Sequence, residues 1–197
     1  TYNGSESKEQ KAKLEEDYAA KRTALRAKGL EFWKTVDAFL AANPKNVKVR
    51  DRRLNDTFFD NARAAVKAKD ADLLYELTQN GEYLHKAAKL SEKSYDYAGA
   101  SDRWKIAADK AATYQVLKDL GSACMNCYRY ADARKAFLKA GEVSSADKDR
   151  QECVRLAEQA GTYIEKWDIE QELRRKSDEK KDLPIVEMLT ERGKVVI

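Results

Sequence analysis

Two segments of this chain repeat each other at a distance of 33 residues. The stretch YAGASDRWKIAADKA begins at Tyr97, and YADARKAFLKAGEVS begins 33 residues later at Tyr130. The alignment pairs Tyr97 with Tyr130, Ala98 with Ala131, Ala100 with Ala133, Trp104 with Phe137 and Ala107 with Ala140. A fixed period of this length is typical of stacked helical hairpins, each of which buries its apolar face against the next. The repeat therefore predicts an all-α fold of stacked antiparallel hairpins.

Residues 114–147 resemble a tetratricopeptide repeat (TPR). The residues at the framework positions of that family are Leu120, Gly121, Tyr130, Ala133, Phe137 and Ala140. The small residues let the two helices of a hairpin approach closely, and Phe137 fills the space between hairpins. The match is incomplete, since Leu117 replaces the usual Trp and Ser145 the terminal Pro.

The neighbouring segments continue this pattern less completely. Residues 81–113 form a first copy in which Ala88 stands where the family has Gly. A third unit, from Lys148, is expected to place Leu156, Ala157 and Ala160 on one helix and Tyr163, Ile164 and Trp167 on a second. An ordinary helical bundle would also produce hairpins rich in Ala and Leu, and it remains the alternative to a repeat stack.

The N-terminal region, residues 1–80, is predicted to be helical as well. Apolar residues recur on one face of a helix that would reach Ala42, about 35 residues long, before Asn43 and Pro44 end it. A second helix is predicted after Asn46 and closing near Asp70. Asp70 or Asp72 would then cap a short third helix.

Composition limits the classes of partner. Charged residues make up 37% of the chain, and their signs are interspersed, with a net charge of +4. A dedicated nucleic-acid binder would carry a basic stripe, so we expect no nucleic acid as partner. No stretch approaches the ~20 consecutive apolar residues of a membrane helix, and we expect no membrane partner either.

Three cysteines and one histidine are the residues that could bind a metal ion or take part in redox chemistry. Cys124 and Cys127 form a C-x-x-C motif, and Cys153 and His85 complete a set that could hold zinc. In the repeat register, however, His85 and Cys153 lie about 10 Å along the helix axis from the pair. A redox motif would begin a helix after a strand, whereas this one lies within a helix. We therefore predict that Cys124 is a small core residue, and we predict no metal, no cofactor and no catalytic residue.

The last residues change character. The stretch KKDLPIVEMLTERGKVVI, at 180–197, has β-branched residues on both sides of a turn, which predicts a hairpin with strands at 184–190 and 194–197. It resembles the opening strands of the cyclophilin family of peptidyl-prolyl isomerases. The matching residues are Pro184, Val186, Met188, Thr190, Gly193, Lys194, Val195 and Ile197.

The cyclophilin resemblance implies a parent isomerase of which this chain holds only the beginning. The catalytic groups of that family come from later strands, so no catalytic residue is assigned here. The predicted organisation is an N-terminal helical region (1–80), TPR-like hairpins (81–171), a charged linker (172–182) and a truncated cyclophilin-like start (183–197). The function expected is client or partner binding for the isomerase. A free-standing helical-repeat adaptor is the alternative.

The ends of the chain suggest that it is a piece of a longer protein. Residue 1 is Thr rather than Met, and the chain stops on the apolar KVVI. Free cysteines favour a reducing compartment, whereas a removed leader would allow export, so both locations stay open. An isolated hairpin is marginal in water, and we expect self-association through residues 183–197.

The resemblance to TPR proteins also implies a peptide-binding groove along the first helix of each hairpin. The groove positions carried onto this sequence are His85, Lys89, Lys93, Lys118, Ser122, Met125 and Asn126. A basic groove suits an acidic peptide or a terminal carboxylate. A carboxylate clamp of the chaperone-binding kind would have Asn at position 122, so this partner class is not implied. A solvated charged face is the alternative interpretation of the same residues.

Overall fold

The described part of the chain forms eight helices followed by a two-stranded hairpin, which confirms the predicted class. The computed structural model describes residues 8–56, 63–180, 187–190 and 193–196. The helices are α1 (Lys8–Ala42), α2 (Val47–Leu54), α3 (Ala64–Thr78), α4 (Gly81–Lys93), α5 (Tyr97–Lys110), α6 (Tyr114–Asn126), α7 (Tyr130–Val143) and α8 (Asp147–Lys180). The strands are β1 (Glu187–Thr190) and β2 (Gly193–Val196). The chain divides into two compact units, Thr1–Asp96 (unit 1) and Tyr97–Ile197 (unit 2).

Helix α1 has the predicted length of 35 residues and ends at Ala42, where Asn43 and Pro44 follow. Only its C-terminal part packs into unit 1, because Trp33 and Leu40 are buried whereas residues 11–28 are all exposed. The Trp33 indole donates a hydrogen bond to Asp56 Oδ2 (2.9 Å), and the Arg63 guanidinium lies 4.5 Å from the ring centroid. These contacts fix the C-terminal part of α1 to the rest of unit 1.

The predicted single helix between Asn46 and Asp70 is wrong. Helix α2 begins after Asn46, whose side chain accepts a hydrogen bond from Val49 N (3.0 Å), but it ends at Leu54. Helix α3 begins only at Ala64, and residues 57–62 lie outside the described part of the chain. Phe58 and Ala62, which the apolar pattern also predicts on that helix, lie among these residues.

The sequence indicated that Asp70 could cap a helix, but this prediction is wrong. Asp70 lies buried within α3. Its carboxylate accepts hydrogen bonds from Arg50 (2.6 Å) and Arg53 (two bonds of 2.5 Å), both on α2. Arg53 also contacts Asp37 of α1 at 2.5 Å. Burial lowers the pKa of Arg53, but the hydrogen bond and charge of Asp70 outweigh it, so the pKa is raised overall. This ion network joins α1, α2 and α3, and this role in tertiary structure takes the place of capping.

In unit 2 each helix from α5 to α8 packs on the next, and α6 with α7 forms the hairpin predicted at 114–147. The first predicted copy, 81–113, is divided, because α4 belongs to unit 1 and α5 to unit 2. Helices α6 and α7 interlock where Gly121 faces Phe137: a Cβ on Gly121 would lie 2.5 Å from Phe137 Cε1. The ring is 1% exposed and belongs to a core cluster with Cys124, Ala133, Ala157 and Ala160. The framework residues of the TPR resemblance therefore pack as that family implies.

The turns that follow α4 and α6 repeat each other in backbone geometry. Tyr95 and Tyr128 both adopt the left-handed conformation, with φ of 62° and 65°. In the first turn Asp96 N donates to Ser91 O (2.9 Å), and in the second Arg129 N donates to Cys124 O (2.9 Å). These are the same helix-ending hydrogen bonds 33 residues apart. The sequence period is thus a structural period.

Helix α8 corrects the prediction of a third two-helix unit. It runs without interruption for 34 residues, so Tyr163, Ile164 and Trp167 lie on the same helix as Leu156 and Ala160. No Pro occurs between Asp147 and Lys180, and Gly161 stays helical, so nothing breaks the hydrogen-bond ladder. Most of the charged segment predicted at 172–182 continues this helix. Its side chains pair at i,i+3 and i,i+4, as Arg175 does with Glu172 and Glu179.

The C-terminal strands form an antiparallel pair in which Glu187 faces Val196, Met188 faces Val195, Leu189 faces Lys194 and Thr190 faces Gly193. The predicted hairpin is therefore present where the structure describes it, while residues 184–186 and Ile197 lie outside that description. The predicted domain boundaries remain predictions. None of the described helices is long and apolar enough to cross a bilayer.

Candidate interaction surface

Three of the predicted groove residues lie on α4 in unit 1. Lys89 and Lys93 are exposed one turn apart, and His85, one turn earlier, is half-buried. The opposite face of α4 buries Leu84, Ala87 and Ala88, which accounts for the outward position of the lysines. The four other predicted residues lie on α6 in unit 2. That all seven line one groove stays a prediction.

On α6 the predicted residues follow one another in successive turns. Ser122 is exposed and donates a hydrogen bond to Lys118 O (3.0 Å), and Asn126 is the last, exposed residue of the helix. Met125 is half-buried and packs against the core cluster of Phe137. This face therefore offers hydroxyl, amide and thioether groups over a rigid base.

The sequence predicts Lys118 as a basic residue of the groove. In the structure its ammonium group pairs with a carboxylate. Its Nζ donates hydrogen bonds to Glu152 Oε2 of α8 (3.0 Å) and to the Tyr114 hydroxyl (3.3 Å). The hydrogen bond from Lys118 lowers the pKa of Glu152, and the same bond raises the pKa of Lys118. The two charges largely cancel, so the α6 part of the predicted groove is less basic than its sequence indicated.

The cysteines lie in the packing between helices. Cys124 and Cys153 are buried, and burial raises the pKa of the Cys124 thiol to about 12. Burial raises the pKa of Cys153 as well. Cys127 donates its thiol hydrogen to Cys124 O at 3.5 Å. Within the described ranges no three His, Cys, Asp or Glu residues group as metal ligands would. The placement of Cys124 in the core agrees with the sequence prediction.

A cluster of four aromatic side chains in unit 2 was missed at the level of sequence. Tyr128 stacks on Trp167 with centroids 4.9 Å apart and planes 3° apart, and Tyr130 stacks on Tyr163 at 5.3 Å and 18°. The two stacks meet edge to face, with Tyr130 lying 6.0 Å from Trp167. We call these four residues the aromatic cluster. Burial, followed by the neighbouring Tyr128 and Tyr163 hydroxyls, raises the pKa of Tyr130.

A cavity of about 210 Å³ opens beside the aromatic cluster. Its lining, which we call the aromatic cleft, consists of residues 128–132 together with Ile164, Trp167 and Asp168. Tyr128 remains 59% exposed. The signal that could have revealed this surface is the spacing Tyr128-x-Tyr130 before α7 together with Tyr163 and Trp167, one turn apart on α8. The sequence predicts Tyr163 and Trp167 on a separate helix, and this prediction hides their proximity to Tyr128 and Tyr130.

The fold and this surface define a helical-repeat protein of the TPR-like kind. The solved structures to which the chain is similar include two of MamA. "Crystal structure of MamA protein" is 19% identical, with 84% of this chain and 93% of that chain covered and a TM-score of 0.46. "Crystal structure of MamA" is 16% identical, with 83% and 98% covered and a TM-score of 0.43. These values support no inference about function. No protein-family model and no curated protein matches the chain.

Proposed function

We propose that this chain is a helical-repeat scaffold that binds a partner protein through the outer face of α6. The observation that carries the proposal is the row of Ser122, Met125 and Asn126, which is displayed on a helix held rigid by the contact between Gly121 and Phe137. A half-buried Met between exposed polar groups suits an extended peptide, because it offers one apolar contact flanked by hydrogen-bonding groups.

The Lys118 and Glu152 pair determines which peptide this face takes. Since the two charges neutralise each other, the α6 face binds through hydrogen bonds and the Met125 side chain rather than through a basic field. On α4, Lys89 and Lys93 supply the positive charge that an acidic peptide or a terminal carboxylate would meet. We therefore propose that acidic peptides bind to α4 and not to the α6 face.

A peptide array probed with the whole chain tests the scaffold function. Hits are measured by fluorescence polarisation with the unmodified chain, Asn126→Arg and a matched control, Lys139→Glu on the exposed face of α7. We expect Asn126→Arg to weaken the hits at least tenfold and the control to leave them unchanged. Equal binding by all three proteins would refute the α6 assignment. The double reversal Lys89→Glu with Lys93→Glu then tests whether acidic hits need α4.

A second candidate function is that of an interaction region attached to a cyclophilin-type isomerase. The observation in its favour is the antiparallel hairpin with Met188 opposite Val195, where the resemblance implies the first two strands of a barrel. The absence of a family match gives this candidate less support than the free-standing adaptor. Reading the encoding transcript beyond the Ile197 codon tests it: further barrel strands would favour the isomerase, and a stop codon or a polar tail would favour the adaptor.

A further inference from the structure

We propose that the aromatic cleft of unit 2 binds an arginine side chain in a basic segment of a partner protein. This inference concerns a different surface from the α6 face, because no residue of that face lines the cleft. It also calls for a partner of opposite charge to the acidic peptide expected at Lys89 and Lys93. The two proposals therefore stand or fall separately.

The aromatic rings supply the flat surface that a guanidinium prefers. One face of Tyr128 stacks on Trp167, and the residue is still 59% exposed, so part of it remains accessible to a ligand. The chain itself provides a precedent on the same stack, because the Arg174 guanidinium lies 5.7 Å from the Trp167 centroid. A partner arginine stacked on Tyr128 would add a second cation to the stack that Trp167 and Tyr128 form. Arginine stacks on aromatic faces better than lysine, whose ammonium is more strongly hydrated.

The charges around the cleft complement a cation. Asp132 and Asp168 line it, and neither carboxylate is ion-paired with any residue that the structure describes. Arg129 also lines the cleft, but its guanidinium donates to Asp102 Oδ1 (2.5 Å) and Ser101 Oγ (2.8 Å). The positive charge of Arg129 is thus compensated by Asp102, whereas the two other carboxylates are left for a ligand.

The backbone at Tyr128 allows the ring to be removed without damage to the turn. A bulky residue at φ of 65° is strained, and Gly or Asn would take this turn position at lower free energy. Replacement of Tyr128 by Gly should therefore remove the ring while relieving the turn, which separates binding from folding.

The test follows the three Trp indole NH signals by NMR while an acetylated and amidated Gly-Arg-Gly-Arg-Gly peptide is added at low salt. The Trp167→Phe variant identifies the Trp167 signal. Trp33 and Trp104 are buried and act as internal references. We expect the Trp167 signal alone to shift, with a Kd at or below about 1 mM. If that signal does not move, or if all three move together, the assignment is overturned.

Matched ligands test the chemistry of the site. The same peptide with citrulline keeps the shape of arginine without its charge and should bind at least about tenfold more weakly. Free L-arginine distinguishes a site for a partner segment from a site for the free amino acid, and it too should bind about tenfold more weakly. Equal binding of citrulline peptide would overturn the cation site, and equal binding of free arginine would overturn the partner segment.

Matched variants test the residues. Tyr128→Gly should weaken binding about tenfold with an unchanged or higher Tm, whereas Tyr95→Gly, at the same left-handed position 33 residues earlier, should leave binding unchanged. The double variant Asp132→Asn with Asp168→Asn should weaken binding about tenfold and reduce its salt dependence. Unaltered affinity in either Tyr128→Gly or the double Asn variant contradicts the proposal.

Discussion

Gly121 lies so close to Phe137 that no side chain fits between them, since an added Cβ would stand 2.5 Å from the ring. Gly121→Ala should therefore destabilise unit 2, although alanine favours a helix by about 1 kcal/mol. The ring is 1% exposed and would have to shift within the core, and overpacking of this kind costs about 1–3 kcal/mol. Urea denaturation followed by circular dichroism measures the net loss, which we expect to be up to about 2 kcal/mol.

Gly161→Ala is the matched control in the same unit. Its added Cβ would meet only the Arg134 side chain, at 3.8 Å, so we expect the gain in helix propensity without a clash. A second variant, Gly121→Ala with Phe137→Leu, should recover part of the lost stability because the ring is gone. If Gly121→Ala proves as stable as Gly161→Ala, the close contact does not limit the packing of α6 on α7.

Asp70→Asn should be among the most destabilising single changes in unit 1. Asp70 is 1% exposed, and its replacement leaves Arg50 and Arg53 buried with too little negative charge. The loss of one partner from a buried ion pair costs about 3 kcal/mol or more. The exposed pair of Arg174 and Glu170 provides the control, since Glu170→Gln should change the urea midpoint little. Similar losses in both variants would mean that the Asp70 network does not stabilise the unit.

The Cys124 thiol should make unit 2 sensitive to alkaline pH. Burial raises its pKa from 9.0 to about 12, so the native state holds the proton that the unfolded state loses above pH 9. The protonated thiol makes its full contribution to the free energy of unfolding below pH 9. That contribution falls between pH 9 and about 12, by at most about 1.4 kcal/mol per pH unit. Cys124→Ala should remove this part of the decline. Parallel stability curves for the two proteins over that range would contradict the prediction.

Self-association through residues 183–197 stays a prediction. Both strands of a two-stranded sheet are edge strands, and β1 and β2 therefore each present backbone groups that another chain could pair with. Deletion of these residues should return a monomer with unchanged helix content. Sedimentation equilibrium of the fragment that ends at Asp182 measures this, with the full chain for comparison. Equally strong association of the fragment would exclude the tail as the cause.

Local patterns in the sequence were sufficient for much of the fold. The length of α1, its end before Asn43 and Pro44, and the 33-residue period all follow from spacing and residue type. Such features depend on neighbours within one or two helical turns or on one repeat facing the next. Because a repeat fold makes mostly contacts of this kind, its sequence carries most of the information.

Only the tertiary structure decided the role of Asp70, the continuity of α8 and the existence of the aromatic cleft. Asp70 satisfies the local rule for a helix cap equally well, and the buried guanidinium groups of Arg50 and Arg53 outweigh that rule. Tyr128 and Trp167 are 39 residues apart in the sequence, and they stack because α8 continues past the end of its hairpin to reach the turn before α7. The sequence alone determined the class of the fold, the extent of α1 and the repeat period. The physical reason that it did not determine the site is that long-range stacking and charge pairing have no local period.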